Sequence, residues 1–489
     1  MNMKRIFVLW SLFLLLALTL LAGCASNSGS NQNSALSADN INLIFVVSPD
    51  LAHHSSGDVN SDTANLSNQG LQRSLLMATY LKTRLLGTNN VTGIYTLAPM
   101  THLQTANNYP DMAAIGFIQQ FALLNQITVQ GTTANSYPLF AAYGELGSVP
   151  AGVFEPSPYI PGAQGLAFND ASGNNIALVT RIINANHPGF YVFSAPWETT
   201  SALLSNIKTT WGYNLNLPAT YMGTNYVYVI SITPSGDASL ATFDSKLNPP
   251  ATYPVLPPPP IVSASCTQQD YFSYTLTDGV NGVKIPQGTN TNQTVYLIRH
   301  AEAHPASSFE DGNFVGAGQW RALSLPNFLP DALRGQPRPT VVYSIDPAQS
   351  FSPAADFSAS YVRPSLTVLP YAITNNMPYY LVSSFSIGGD TTDPGVAKAT
   401  SDFLFTNLAG ANLSNQTVLL AWEHEHYPPL ITYLLQSYGG TVPVPALSWP
   451  QTDYDTIWTV RLDAHGNLNV NNALCEGIDS AALPKTAPQ

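Results

Sequence analysis

Four consecutive prolines, Pro257-Pro258-Pro259-Pro260, divide this chain. Proline has no N–H and a fixed φ, so such a run excludes helix and central strand and favours an extended, semi-stiff spacer. With the prolines that precede it from Pro249 onward, the segment 248–260 reads as a linker between residues 40–247 and 261–485. Both halves then show the same order of elements. An apolar strand, Ile41 to Val47, is matched by Thr294 to Ile298. Ser67, a good helix cap, precedes a helix from Ser74 to Leu86, and its counterpart runs from Ala322 to Leu329. In this pairing Gly70 aligns with Gly318, and Arg73 with Arg321. Strands at Gly93–Thr96 and Thr340–Ser344, at Gly189–Ser194 and Thr417–Trp422, and at Tyr226–Ile232 and Thr456–Val460 complete the repeat. Continuous apolar strands alternating with helices imply an α/β fold: two tandem three-layer α/β/α domains with mostly parallel central sheets. Functional residues are then expected beyond the carboxyl ends of strands.

The N-terminus bears on location. Lys4 and Arg5 precede an apolar run from Ile6 to Leu21 that is short for a membrane span, followed by Leu21-Ala22-Gly23-Cys24. These residues resemble the signal and lipobox of bacterial lipoproteins. The resemblance implies a signal peptide over 1–24, acylation of Cys24 and anchorage in a lipid bilayer of the cell envelope. Ala25 and Ser26 resemble the residues of lipoproteins sorted to the outer membrane. Residues 25–39, rich in Ser, Asn and Ala, read as a flexible tether. Only 17 Lys and Arg stand against 29 Asp and Glu, and the net charge of -12 argues against nucleic acid as a partner. Past Cys24 two cysteines remain, Cys266 and Cys475. In an exported chain they are expected to form a disulfide tying the start of the second half to its end.

Three motifs in the second half carry chemistry. Arg299-His300-Ala301-Glu302 places a guanidinium, an imidazole and a carboxylate at the mouth of an apolar strand. Tyr361-Val362-Arg363-Pro364-Ser365-Leu366-Thr367 adds a second arginine with a threonine four residues on. Trp422-Glu423-His424-Glu425-His426 adds a second histidine at another strand end. In this order they resemble the motifs of the histidine phosphatase superfamily, which also holds the phosphoglycerate mutases and histidine acid phosphatases. The resemblance covers nearly all of the second half. It departs at Ala301, where the family usually has glycine, a difference that matters if the backbone there needs positive φ.

The resemblance implies a metal-independent phosphoric monoester hydrolase with no cofactor, in which His300 attacks phosphorus and forms a phosphohistidine. Arg299 and Arg363 offer rigid forks for the charged equatorial oxygens, and His424 is a further donor. The leaving alkoxide needs a proton. Glu425 occupies the position of the acid-phosphatase proton donor, with Glu302 as the second candidate. The mutase-type glutamate is missing: the acids between Arg363 and the third motif are Asp390, Asp393 and Asp402. His304 and His426 are candidates for lining the entrance or binding substrate. His424 and His426 could suggest a metal pair, but their i, i+2 spacing around a carboxylate and the lack of a third ligand argue against one.

The first half reads as a copy that lost this chemistry. Aligned by the outlines of the strands, Ser48 stands for Arg299, Pro49 for His300 and Leu51 for Glu302. Thr101 stands where the second arginine is needed, and Trp197 and Glu198 face His424 and Glu425. His53, His54 and His102 lie near but do not rebuild the clamp. The stretch from Asn125 to Asn175, rich in Gly, Pro, Ser and aromatics, reads as a loop-rich cap. The expected function is an envelope-anchored phosphatase acting on a small phosphorylated molecule. The alternative is a non-catalytic envelope binding or structural protein built on the same domains.

Overall fold

The computed structural model describes residues 36–104, 107, 109–125, 139–141, 176–256, 270–303, 312–354, 357–382, 384–387, 391, 393–408, 412–441 and 446–488. The signal and lipobox, Cys24, Cys266, the proline run, His304, Asp390 and most of the Asn125–Asn175 stretch lie outside them. The fold is mixed α/β. The first half runs β1 (Ile41–Val47), α1 (Asn68–Tyr80), β2 (Gly93–Thr96), β3 (Leu103–Gln104), β4 (Tyr109–Pro110), α2 (Ala113–Leu124) and β5 (Leu139–Ala141). It continues with α3 (Ile176–Ala185), β6 (Gly189–Ala195), α4 (Trp197–Trp211), β7 (Tyr226–Ile232) and β8 (Ala238–Asp244). The second half opens with β9 (Ser273–Leu276), β10 (Gln293–Arg299), α5 (Gly316–Ala332), β11 (Val341–Ile345), β12 (Ser350–Ala354) and β13 (Phe357–Ser360). It closes with α6 (Arg363–Thr374), β14 (Tyr379–Val382), α7 (Pro394–Phe405), β15 (Thr417–Trp422), α8 (Tyr427–Ser437), β16 (Thr456–Leu462) and β17 (Leu468–Cys475).

The two sheets repeat one topology. The first has the order β5-β2-β6-β1-β7-β8, the second β14-β11-β15-β10-β16-β17-β9. In each, four strands pair in parallel and the following strands add antiparallel. Strand β9, absent from the sequence reading, pairs with β17 at the edge of the second sheet. The sequence-predicted helix from Ser74 lies instead at Asn68–Tyr80, capped by the Ser67 hydroxyl, and ends in a π-turn over Leu81–Leu86. The predicted helix from Ala322 begins six residues earlier, at Gly316.

Both faces of the central strands are buried, as their unbroken apolar runs require. Val295 and Leu297 pack with Leu404 of α7 and Leu430, Ile431 and Leu434 of α8. Side chains alternate along a strand, so Tyr296 and Ile298 point to the opposite face, where they are equally inaccessible. In the first half Leu43, Phe45 and Val47 pack with Val179 of α3 and Leu203 and Leu204 of α4. Each such side chain stabilises the fold by about 1.5–3 kcal/mol. Among the described residues no helix is long and apolar enough to cross a membrane.

Both sheets belong to one compact unit, Ser37–Gln489. Amide side chains bridge the halves. Gln119 and Asn313 exchange two hydrogen bonds of 2.8 and 3.1 Å, and the Gln319 amide donates to Gln120 at 3.0 Å. All four side chains are buried, so each bond left unmade would cost the full desolvation of its polar group. A Cβ on Gly116 of α2 would come within 2.9 Å of Leu369 of α6, so glycine sets how closely these helices approach.

Candidate active site in the second half

The site forms where β10 and β15 end side by side, at the carboxyl edge of the parallel strands. Arg299 is the last residue of β10 and is buried. Its Nη1 donates to the carbonyls of Gln451 and Asp453, and its guanidinium lies 3.9 Å from the centre of the Tyr454 ring. His300 extends the ladder by one rung, its N–H donating to the Trp422 carbonyl at 3.1 Å. The ring Nδ1 lies 2.8 Å from the Ala301 carbonyl. A carbonyl only accepts, so Nδ1 carries the hydrogen and Nε2 carries the lone pair.

Thr367 of the second motif holds this turn in place. Its hydroxyl accepts the Ala301 N–H at 2.8 Å and donates to the Arg363 carbonyl at 2.7 Å, joining two motifs in one chain of bonds. Ala301 does not adopt a positive φ, so the backbone has no need of glycine at this position. Arg363 opens α6, buried, with its guanidinium 4.7 Å from the Tyr361 ring centre. The backbone N–H groups of Val362 and Arg363 both donate to the Gly312 carbonyl. His424 lies two residues past β15, buried, and among the described residues neither ring nitrogen has a hydrogen-bond partner. Arg299 Nε is likewise buried without a hydrogen-bond partner.

The electrostatics follow from this crowding. Burial, then Arg363 and Arg299, push the His300 imidazole well below its ordinary range, so it is neutral. Burial, then Arg299, lower His424 to about 3. Arg299 itself is lowered, first by burial. Two guanidiniums and two neutral imidazoles thus make a positive, desolvated pocket, an arrangement that favours an oxyanion.

The other candidates are less central. Glu425 is exposed, its carboxylate 4.0 Å from His424 Nε2. His426 is buried and stacks on Trp422 with ring centres 4.5 Å apart, its Nε2 3.0 Å from Glu423. Glu302 does not reach the histidines through the bonds it makes. Its Oε1 accepts from Arg321 Nε at 2.8 Å and from the Ser480 hydroxyl at 2.7 Å. Arg321 is fully buried and also binds Glu476 at 2.6 Å and the Ile478 carbonyl at 3.0 Å.

Sequence reasoning missed Glu423, Asp453 and Tyr454. Glu423 stood inside the third motif and was passed over for its neighbours. Asp453 and Tyr454 belong to the loop before β16, which reaches the site only because β16 pairs antiparallel with β10. No local signal marks that loop.

Sheet register corrects the alignment of the halves. Ser48 N–H donates to the Ala195 carbonyl at 2.9 Å, as His300 N–H does to Trp422. Ser48 therefore occupies the place of His300, and Val47 that of Arg299; the pairing of Ser48 with Arg299 and of Pro49 with His300 was one residue out. Ala113, first residue of α2, stands where Arg363 opens α6, replacing the expected Thr101. Leu51 is not the counterpart of Glu302 in the arginine pair. Arg73 Nε donates instead to Asp58 at 2.8 Å. The Asp58 carbonyl accepts the N–H of Ser67, the residue before α1, as the Glu302 carbonyl accepts that of Val315 before α5. Trp197 and Glu198 do fall opposite His424 and Glu425, counted from the paired strand ends. Trp197 is buried against Tyr221 and Tyr228.

The strand ends of the first half are not bare. His102 Nδ1 lies 2.7 Å from Asp111, and its Nε2 lies 2.9 Å from Glu198. His53 Nδ1 is 3.1 Å from the other oxygen of Glu198, and Asp50 lies beside them. Burial would lower His102, but its bonds to Asp111 and Glu198 carry it up to about 10. Burial, then Glu198 and Asp111, push Asp50 up to about 8.

No family model matches the chain, and no curated protein matches its sequence. The crystal structure of the provisionally assigned phosphohistidine phosphatase SixA from Agrobacterium tumefaciens is a structural neighbour. It is 16% identical, covers 34% of this chain and 90% of its own, and has a TM-score of 0.21. At that score the likeness carries no part of the argument below.

Proposed function

We propose that the second half is a phosphomonoesterase of histidine phosphatase type, working through a phosphohistidine at His300. In this reading the chain comprises two tandem three-layer α/β/α domains, the first of them degenerate. The observation that carries it is the buried cationic pocket in which Arg299 Nε and both His424 nitrogens lack hydrogen-bond partners among the described residues. Buried polar groups without partners are costly, and a phosphoryl group supplies acceptors for Arg299 Nε and for the His424 nitrogen that carries the hydrogen.

The steps balance as follows. The Nε2 lone pair of His300 forms a bond to phosphorus while the ester P–O bond breaks, and the alkoxide takes a proton from Glu425. Water then attacks phosphorus, giving its proton to Glu425, while the P–Nε2 bond breaks; phosphate is released and the lone pair returns to His300. Arg299, Arg363 and His424 hold the equatorial oxygens in both steps. Glu302 positions rather than reacts, because Arg321 and Ser480 occupy its Oε1. His426 and His304 are assigned to the entrance. Anchorage at an acylated Cys24 in the outer membrane and a Cys266–Cys475 disulfide complete the proposal, with a small phosphorylated molecule as substrate.

The test is phosphate release from a panel of monoesters, with base-quenched trapping of labelled phosphohistidine. Release and label are both expected for the native chain and neither for His300→Ala. Equal release by the two proteins sinks the proposal. Absence of release from both, together with phosphate binding that needs Arg299, would favour the non-catalytic alternative.

A further inference from the structure

We propose that the strand-end cleft of the first half binds a divalent transition-metal ion of the Zn2+ class through Asp50, His102 and Glu198. One ligand atom from each of these residues lies within 4.8 Å of the other two. Around tetrahedral zinc, with bonds of about 2.0–2.2 Å, ligand atoms sit about 3.3 Å apart. Small side-chain rotations therefore close the present triangle onto an ion.

Three features point to a cation rather than to a self-contained salt-bridge cluster. The first is charge. Asp50 and Asp111 are buried, and Glu198 adds a third carboxylate facing only two imidazoles. Asp50 and Glu198 offer carboxylate oxygens within 4.8 Å of each other. A divalent cation between such oxygens would offset their repulsion.

The second is orientation. Asp111 is fully buried, and its Oδ1 accepts the N–H of Ala113 at 2.9 Å at the start of α2. Its Oδ2 holds His102 Nδ1, which turns Nε2 toward Glu198. A carboxylate behind one imidazole nitrogen, with the other facing oxygen ligands, is how proteins fix a metal-binding histidine. The third is access. His53, at 31% side-chain exposure, stands on the open side of Glu198, where it or water can supply a fourth donor. Ser48 and Thr199, adjacent in sequence to Pro49–Asp50 and to Glu198, add fully buried hydroxyls without hydrogen-bond partners among the described residues. Mixed imidazole and carboxylate donors suit zinc and its neighbours, whereas calcium and magnesium prefer oxygen alone. The sequence reading weighed a metal only at His424 and His426, in the other half.

The experiment titrates Zn2+ into the metal-stripped full chain by calorimetry, with Co2+ absorption as a second probe of coordination. One ion per chain is expected, with a four-coordinate Co2+ spectrum. His102→Ala and Asp50→Asn should each weaken binding at least a hundredfold, and Asp111→Asn about ten- to a hundredfold. His300→Ala, in the other half, should leave affinity and spectrum unchanged. If His102→Ala fails to fold, the two aspartate-to-asparagine variants decide, since both keep side-chain shape. No stoichiometric binding, or binding that survives Asp50→Asn and Asp111→Asn at native affinity, overturns the proposal.

Discussion

The two halves share a scaffold and differ in what they place upon it. In each, a glycine in the first turn of a helix lets the backbone press against an acidic residue, and an arginine three positions later grips that acid. Gly70 packs on the Asp58 carbonyl and Arg73 binds its side chain; Gly318 packs on the Glu302 carbonyl and Arg321 binds its side chain. At the strand ends the halves share one glutamate, Glu198 opposite Glu425, and differ at the other candidate positions. Arg299, His300, Arg363 and His424 face Val47, Ser48, Ala113 and Trp197. That glutamate apart, what both halves keep supports the fold, and what only one keeps is the candidate chemistry. By that criterion Glu302 belongs with the scaffold.

The strongest way to break this division is at the histidine. His300→Ala should abolish phosphate release, whereas Ser48→Ala, its positional counterpart, should leave the rate intact. Loss in both would mean that the first half takes part in the reaction.

Next come the buried arginines. Arg321→Ala and Arg73→Ala should each destabilise the chain by about 3–5 kcal/mol, because each leaves a buried carboxylate uncompensated. Denaturant melts would show this. A loss confined to Arg321 would sharpen the comparison, since it binds Glu476 as well.

The glycines should have a smaller effect. An added methyl costs about 1–3 kcal/mol where it overpacks. Gly70→Ala should lie at the upper end and Gly318→Ala below it. A Cβ would meet the Asp58 carbonyl oxygen at 2.1 Å in the first case and the Glu302 carbonyl oxygen at 2.8 Å in the second. The reverse order of melting midpoints would contradict the geometry.

The smallest effect is in pH. The folded His424 is lowered to about 3, while the unfolded imidazole titrates near about 6.5. Between those values the unfolded chain binds a proton that the folded chain refuses, so this contribution is full above about 6.5 and lost as pH falls toward 3. The loss should be on the order of 1 kcal/mol by about pH 6. The native chain and His424→Asn, melted at about pH 7 and about pH 6, should differ by that amount. Trp197, in the corresponding place, has no proton to take up.

Much of this was legible in the chain. Arg299 and His300 stand out because a charged pair ends an otherwise apolar strand, and the matching order of strands and helices is visible without coordinates. The exact pairing was not. The end of an apolar run is not the end of a strand, and only the bonds from Ser48 to Ala195 and from His300 to Trp422 set the register. A one-residue slip followed. The second motif was misplaced because the small hairpin β3–β4 intervenes before α2, and Thr101 precedes it. Asp58 was missed because the loop after β1 is longer than the one after β10. The His102 cluster was hidden because its members come from four separate segments.

The amides joining the halves bear on whether either can be inherited alone. Asn313, held by Gln119, is the next residue after Gly312, whose carbonyl fixes the backbone of Arg363. The first half thus serves as a splint for an arginine of the second. A gene that shed its first half would keep every reactive residue and lose the brace that aims one of them. This gives selection a reason to retain the first half.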